Sequence, residues 1–140
     1  MDLKKLMTGT CPFPQVFDNK DKAKDNRPES ELAYFRCDYD GYRWWNTVWP
    51  VNKALETDDL IDEMDAVYDA FIAAFPTLAS LRRYCKEHLI TMGSTNTEYN
   101  AFLDLGGPGL YWLRLITREK DYNMYLHCYS KQAVEEEDYE

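Results

Sequence analysis

The chain has 140 residues, 45% hydrophobic and 15% aromatic, and carries a formal net charge of −9. That is enough for one domain with its own core and no disulfide or metal staple, and it excludes wholesale disorder. No apolar run approaches the length of a membrane-spanning helix. Five of the acids, Glu135, Glu136, Glu137, Asp138 and Glu140, close the chain, and without them the charge is −4 (−9 plus 5). Generic attraction to phosphate backbones is therefore disfavoured, and attraction to a basic partner favoured.

A single domain over 1–140 is expected, opened by an N-terminal segment, 1–31, that is partly helical or irregular. Leu3, Leu6 and Met7 fall at helical spacing and predict a two-turn helix ending at Gly9, after which Pro12 and Pro14 forbid its continuation. Val16 and Phe17 offer anchors to the core. The mixed charges and Pro28 between Asp18 and Glu31 predict a solvated stretch. Met1 to Met7 is charged and no apolar segment follows, so no signal peptide is read and the chain is expected to be cytoplasmic. Cys11, Cys37, Cys85 and Cys128 are scattered without a CxxC pair, the pattern of reduced, packed thiols.

Ala33 to Trp49 carries the clearest fold signal. Asp40-Gly41 suits the positive φ angles of a tight type I′ turn and predicts an antiparallel hairpin. In that register Tyr39 faces Tyr42, Cys37 faces Trp44, Phe35 faces Asn46 and Ala33 faces Val48 on a core side. The other side pairs Asp38 with Arg43 and Arg36 with Trp45, with Tyr34, Thr47 and Trp49 alongside.

Past Pro50, Leu60, Ile61, Met64, Val67, Tyr68, Phe71, Ile72 and Phe75 form one stripe of a 3.6-residue period, with Thr57 or Asp58 as cap and Pro76 as stop. Thr77 opens a second helix through Leu78, Leu81, Tyr84 and Cys85. Two alternating runs, Tyr99 to Leu105 and Tyr111 to Ile116, flank the reversal Gly106-Gly107-Pro108-Gly109, and a third spans Tyr122 to Tyr129. The expected class is α+β: an antiparallel sheet of about five strands in the order ββααβββ, with a central helical hairpin packed on one face. Residues 131–140 read as an acidic tail that frays.

Two surfaces stand out as partner-binding candidates. Asp58, Asp62, Asp65 and Asp69 line one helical stripe in a stretch with no Lys or Arg between Lys53 and Arg82. Like charges at i,i+4 oppose helix stability slightly, so this stripe is either a plain solvated face or a negative ridge for a basic groove. On the hairpin, Tyr34, Arg36, Arg43, Trp45 and Trp49 are residue types enriched at binding hot spots. The alternative is that Phe13, Val16 and Phe17 cover that face. Stacking of single-stranded nucleic acid there conflicts with the overall charge, so direct nucleic-acid binding is not expected.

Cys85-x-x-His88 and His127-Cys128 would supply two cysteines and two histidines, but the spacing is unlike a zinc module's and adjacent strand residues point to opposite faces. No metal or cofactor is expected. His88 or His127 beside an acid would make a general base, yet no local arrangement supports a catalytic site. The glycine run lacks the helix and GK[ST] of a phosphate loop.

At AYFRCDYDGYRWWNTVWP, with VFDN upstream and LITREKDYNMY downstream, the chain resembles small uncharacterised proteins carried on mobile elements of gut Gram-positive bacteria. The resemblance implies context rather than chemistry. Many small acidic proteins of such elements act on host defence machinery by occupying nucleic-acid grooves, and the family pattern assigns no functional residue. The leading expectation is a non-enzymatic acidic interaction protein, an anti-defence inhibitor, whose partner is a protein with a basic surface. The alternatives are a small-ligand module or small enzyme with a pocket between helices and sheet, and a structural homodimer subunit.

Overall fold

The structure, a computed structural model, describes residues 2–9, 29–40, 43–88, 98–117 and 122–137; the side chains of 37–40, 43–46, 78, 85, 88, 98, 117, 122, 123, 136 and 137 lie outside that description. Along the chain come α1 (Leu3–Leu6), β1 (Glu31–Asp40), β2 (Arg43–Pro50), a 3-10 turn (Lys53–Leu55), α2 (Asp58–Ala74), α3 (Leu78–His88), β3 (Glu98–Asp104), β4 (Gly109–Thr117), β5 (Tyr122–Ser130) and α4 (Lys131–Glu137). The strands make one antiparallel five-stranded sheet in the order β2-β1-β5-β4-β3, and the fold class is α+β.

Alternation along the strands decides which side is core. Phe35, Ala101, Leu103, Tyr111, Leu113, Leu115, Met124, Leu126 and Cys128 are buried on the face that meets Leu60, Val67 and Phe71 of α2. Between Leu3, Met7, Val67, Phe71 and the strands only about 10 Å³ of void remains. The roomier cleft, about 440 Å³, lies instead at the N-terminal end of α2, lined by Leu55, Thr57, Leu60, Pro108, Ser130 and Lys131.

The hairpin register differs from the expected one by two residues. Phe35 pairs with Val48, Tyr34 with Trp49 and Asp40 with Arg43, so Asp40 belongs to the strand. Residues 41 and 42, on which the predicted turn partly falls, lie outside the described residues. Because the side-chain period of a strand is two, a two-residue slip changes every partner and leaves every face assignment intact. The observed register places Trp49 against Tyr34, whose ring stacks on it at 5.3 Å. Contacts spanning the sheet thus outweigh the local preference of the Asp-Gly dipeptide.

Thr57 caps α2 by accepting from Leu60 N–H at 3.3 Å, and Asp58 and Asp59 complement the helix dipole. Thr77 and Ser80 exchange hydrogen bonds at the start of α3. Of the helices, α1 is the main neighbour of α2, while α3 reaches the core through buried Leu81 and through Tyr84, whose ring meets Phe75 edge-on at 5.4 Å. The N-terminal helix is one turn, shorter than expected, because Met7 turns extended and Thr8 bridges to Phe102 at the edge of β3.

Two further expectations are corrected. Ser30 and Glu31, assigned to a solvated stretch, are buried. A register shift between Glu31 and Ala33 sets Glu31 opposite Tyr129, on the side of the sheet away from α2, rather than where regular alternation from Ala33 would place it. Lys131–Glu137, expected to fray, is helical, because Val134 packs fully buried against Phe102, Leu110, Trp112 and Tyr129.

Candidate functional site

The acidic stripe is presented as the 3.6-residue period requires. Asp58, Asp62, Asp65 and Asp69 are all exposed, and none has an ion-pair partner among the described residues. Its orientation follows from two contacts. Tyr68 stacks on Phe35 of β1 at 5.0 Å, and Glu63 reaches Gly109 and Tyr111 of β4. At about 100° per residue, Asp65, Asp58, Asp69 and Asp62 follow Tyr68 around the helix, whereas exposed Ala66 and Ala73 and Asp59 lead round to Glu63. The charge therefore leans toward the β1/β2 side of the molecule.

The opposite face of the sheet is organised in rows. Phe102, Trp112, His127, Tyr34 and Trp49 face one another in turn across all five strands, and Asn100, Arg114, Tyr125, Arg36 and Thr47 form the next row. Tyr34 stacks between Trp49 and Tyr125, each at 5.3 Å. A nucleic-acid base would have to displace one of them to lie on Tyr34. Arg36 lies over Tyr125 at 5.9 Å and Arg114 over Trp112 at 5.1 Å, cation–π contacts that hold the guanidinium groups against the sheet.

Of the hairpin candidates, Tyr34, Arg36 and Trp49 come together here, and Trp49 is 42% exposed. Arg43 and Trp45 occupy β2 opposite Asp40 and Asp38, but their side chains lie outside the described ones. The expectation that Phe13, Val16 and Phe17 cover this face also falls outside the described residues. Sequence reasoning missed Arg114, Trp112, Tyr125 and Glu31, and weighed His127 only as a metal ligand or a general base beside an acid, without the Glu31 that the structure sets against it. Alternation in their strands was the available signal, but joining them to Tyr34 requires knowing that β5 lies between β1 and β4.

One member of the first row, His127, belongs to a buried pair. Glu31 Oε1 is 2.6 Å from His127 Nδ1, with Glu31 1% exposed and His127 7%. Trp112 Nε1 donates to Asn100 Oδ1 at 2.8 Å. The adjacent His127 and Cys128 point to opposite faces, and no group of three metal ligands exists among the described residues. His88 and Cys85, the other half of the hypothetical metal set, have side chains outside those described. Burial pushes the Cys128 thiol well above its usual range, and the charges of Glu31 and Glu63 add to this, so it stays protonated and unreactive at neutral pH.

No family model, curated protein or solved structure matches this chain.

Proposed function

We propose that this is a non-enzymatic interaction protein that presents the carboxylate ridge of α2 to the basic groove of a protein partner. The observation that carries the reading is the exposure of Asp58, Asp62, Asp65 and Asp69 along one helix, with no ion-pair partner among the described residues. Over the 11 residue steps from Asp58 to Asp69 the helix rises about 16 Å, giving one charge per roughly 5 Å. A nucleic-acid strand carries one per about 3.4 Å, so the ridge approaches the charge density that a phosphate-binding groove accepts. This is the physical content of an anti-defence role: competition for a nuclease's nucleic-acid groove. The rigid scaffold matters as much as the charge, because carboxylates fixed on a capped and packed helix lose little freedom on docking.

The test is a comparison of the wild-type chain with the variant carrying Asp58→Lys, Asp62→Lys, Asp65→Lys and Asp69→Lys, each immobilised and exposed to a bacterial lysate. Proteins retained by the first and not the second, released by moderate salt and identified by mass spectrometry, are the expected partners. An identical set on both, with circular dichroism showing the variant folded, removes the ridge from consideration.

A further inference from the structure

We infer that β2 receives an extended lysine- or arginine-bearing segment of a partner protein, which adds to the sheet as a sixth strand. The inference rests on the interaction role proposed above and specifies the form of the partner.

The two edges of the sheet are treated differently. At β3, Thr8 occupies the outer edge: its N–H donates to Phe102 O at 2.9 Å and its carbonyl accepts from Phe102 N–H at 2.7 Å. At β2, no strand lies beyond the edge among the described residues, and the four consecutive residues Thr47, Val48, Trp49 and Pro50 are exposed. The direction of the open backbone groups follows from one bond. Val51 N–H donates inward to Leu32 O at 3.0 Å. Alternation along an antiparallel strand then turns the backbone groups of Trp49 and Thr47 toward β1, and those of Val48 and Asn46 outward. Pro50 has no N–H and closes the outward row of donors.

Edge strands are commonly guarded against pairing by lysine, by proline, by inward charges or by bulges, and Pro50 is such a guard at the end of β2. Thr47, Val48 and Trp49 carry no such guard. Val48, 45% exposed, stands on the α2 side, and Trp49 stands on the other, so an incoming strand meets an apolar contact on each face. Strand addition uses this combination: backbone bonds for affinity, and alternate side chains for specificity.

Charge decides the occupant. Phe35, which pairs with Val48 and shares its face, stacks on Tyr68, and from Tyr68 the helix surface continues to Asp65 and the rest of the ridge. A basic side chain of the incoming strand on the Val48 side would extend toward Asp65, the member of the ridge nearest Tyr68 around the helix. A second copy of this chain would instead set two chains of net charge −9 side by side.

The probe is the peptide acetyl-(Lys-Val)4-amide, titrated against the full chain with amide hydrogen exchange read residue by residue. The expected result is binding that slows exchange at the Val48 and Asn46 amides by about tenfold or more, since strand pairing closes those groups to water. Val48→Pro removes the outward donor while sparing the bonds to β1, and is expected to weaken binding by about tenfold or more. The peptide acetyl-(Glu-Val)4-amide is expected not to bind. Equal binding of the two peptides, absence of binding by both, or binding without protection at Val48 overturns the inference. A dimeric mass with Val48 already protected in the peptide-free chain gives the edge to a second copy and likewise overturns it. Peptide affinity lost on charge reversal of the ridge but kept in Val48→Pro refutes strand addition alone; the converse pattern refutes the ridge alone.

Discussion

The Glu63 carboxylate of α2 accepts a hydrogen bond from the Tyr111 hydroxyl of β4 at 2.9 Å, and the same oxygen accepts from Gly109 N–H at 3.1 Å. This ties the helix to the β3–β4 turn, where a Cβ at Gly107 would fall on the carboxylate. Glu63→Ala should cost about 1–3 kcal/mol, since Tyr111 and Gly109 lose their acceptor. Gly107→Ala, by forcing the carboxylate aside, should cost a similar amount. Urea denaturation of both single variants and the double variant checks this, because the two losses should fail to add.

Glu31 and His127 hold each other in a buried setting, so removing one partner should cost more than removing both. Glu31→Ala should destabilise by about 3–5 kcal/mol, while Glu31→Leu with His127→Phe should recover most of that loss. Chemical denaturation of the three chains measures it, and equal stability of the single and double variants would show that the pair is not coupled.

What the amino-acid order makes legible here is periodic and local. The apolar stripe from Leu60 to Phe75, the caps at Thr57 and Thr77, and the alternation through Tyr111 to Ile116 and Tyr122 to Tyr129 all state a face or a boundary within one element. The acidic stripe was legible for the same reason. Three features were not, because each depends on segments far apart in the chain. The placement of β5 beside β1 joins Tyr34 to His127; the register shift at Glu31 buries a carboxylate; and Val134 finds its pocket only once Phe102, Leu110, Trp112 and Tyr129 are assembled. The two-residue error in hairpin register has the same origin, since the local dipeptide carries no knowledge of the Tyr34–Trp49 stack.

That register has a direct spectroscopic signature. Phe35 and Val48 form a non-hydrogen-bonded pair in the observed alignment, with their Hα atoms in close approach. A strong Hα–Hα nuclear Overhauser effect between Phe35 and Val48 is expected. The alignment of an Asp40-Gly41 turn would instead give one between Arg36 and Trp45.

Stability should fall on the alkaline side. Burial, followed by the charges of Glu31 and Glu63, raises the folded pKa of the Cys128 thiol, and burial, followed by the Cys128 charge and the Glu63 contact, raises that of the Tyr111 hydroxyl. Each contribution is fully present below the unfolded value, about 8.5 for the thiol and about 10 for the hydroxyl. Above those values the unfolded chain ionises first, and stability drops by about 1.4 kcal/mol per pH unit for each group. Denaturation midpoints from pH 7 to 11 should show this slope, and Tyr111→Phe should flatten its upper part.

On the acid side Asp104 matters little. Burial raises its pKa, but the Lys131 ammonium at 2.8 Å and the Gly106 N–H outweigh that and hold it below the usual carboxylate value. Its contribution is present above the unfolded value of about 3.9 and is lost as pH falls through the folded one. The carboxylate is exposed, so Asp104→Asn should cost less than about 1 kcal/mol at pH 7. The acid limb of the denaturation curve should shift only slightly.

The most direct measurement is the capture comparison between the wild-type chain and its four-lysine ridge variant, Asp58→Lys, Asp62→Lys, Asp65→Lys and Asp69→Lys. A protein with a basic groove should be held by the first, released by salt, and absent from the second while the helix signal in circular dichroism is unchanged. Retention of that same protein by the folded variant at equal salt would contradict it.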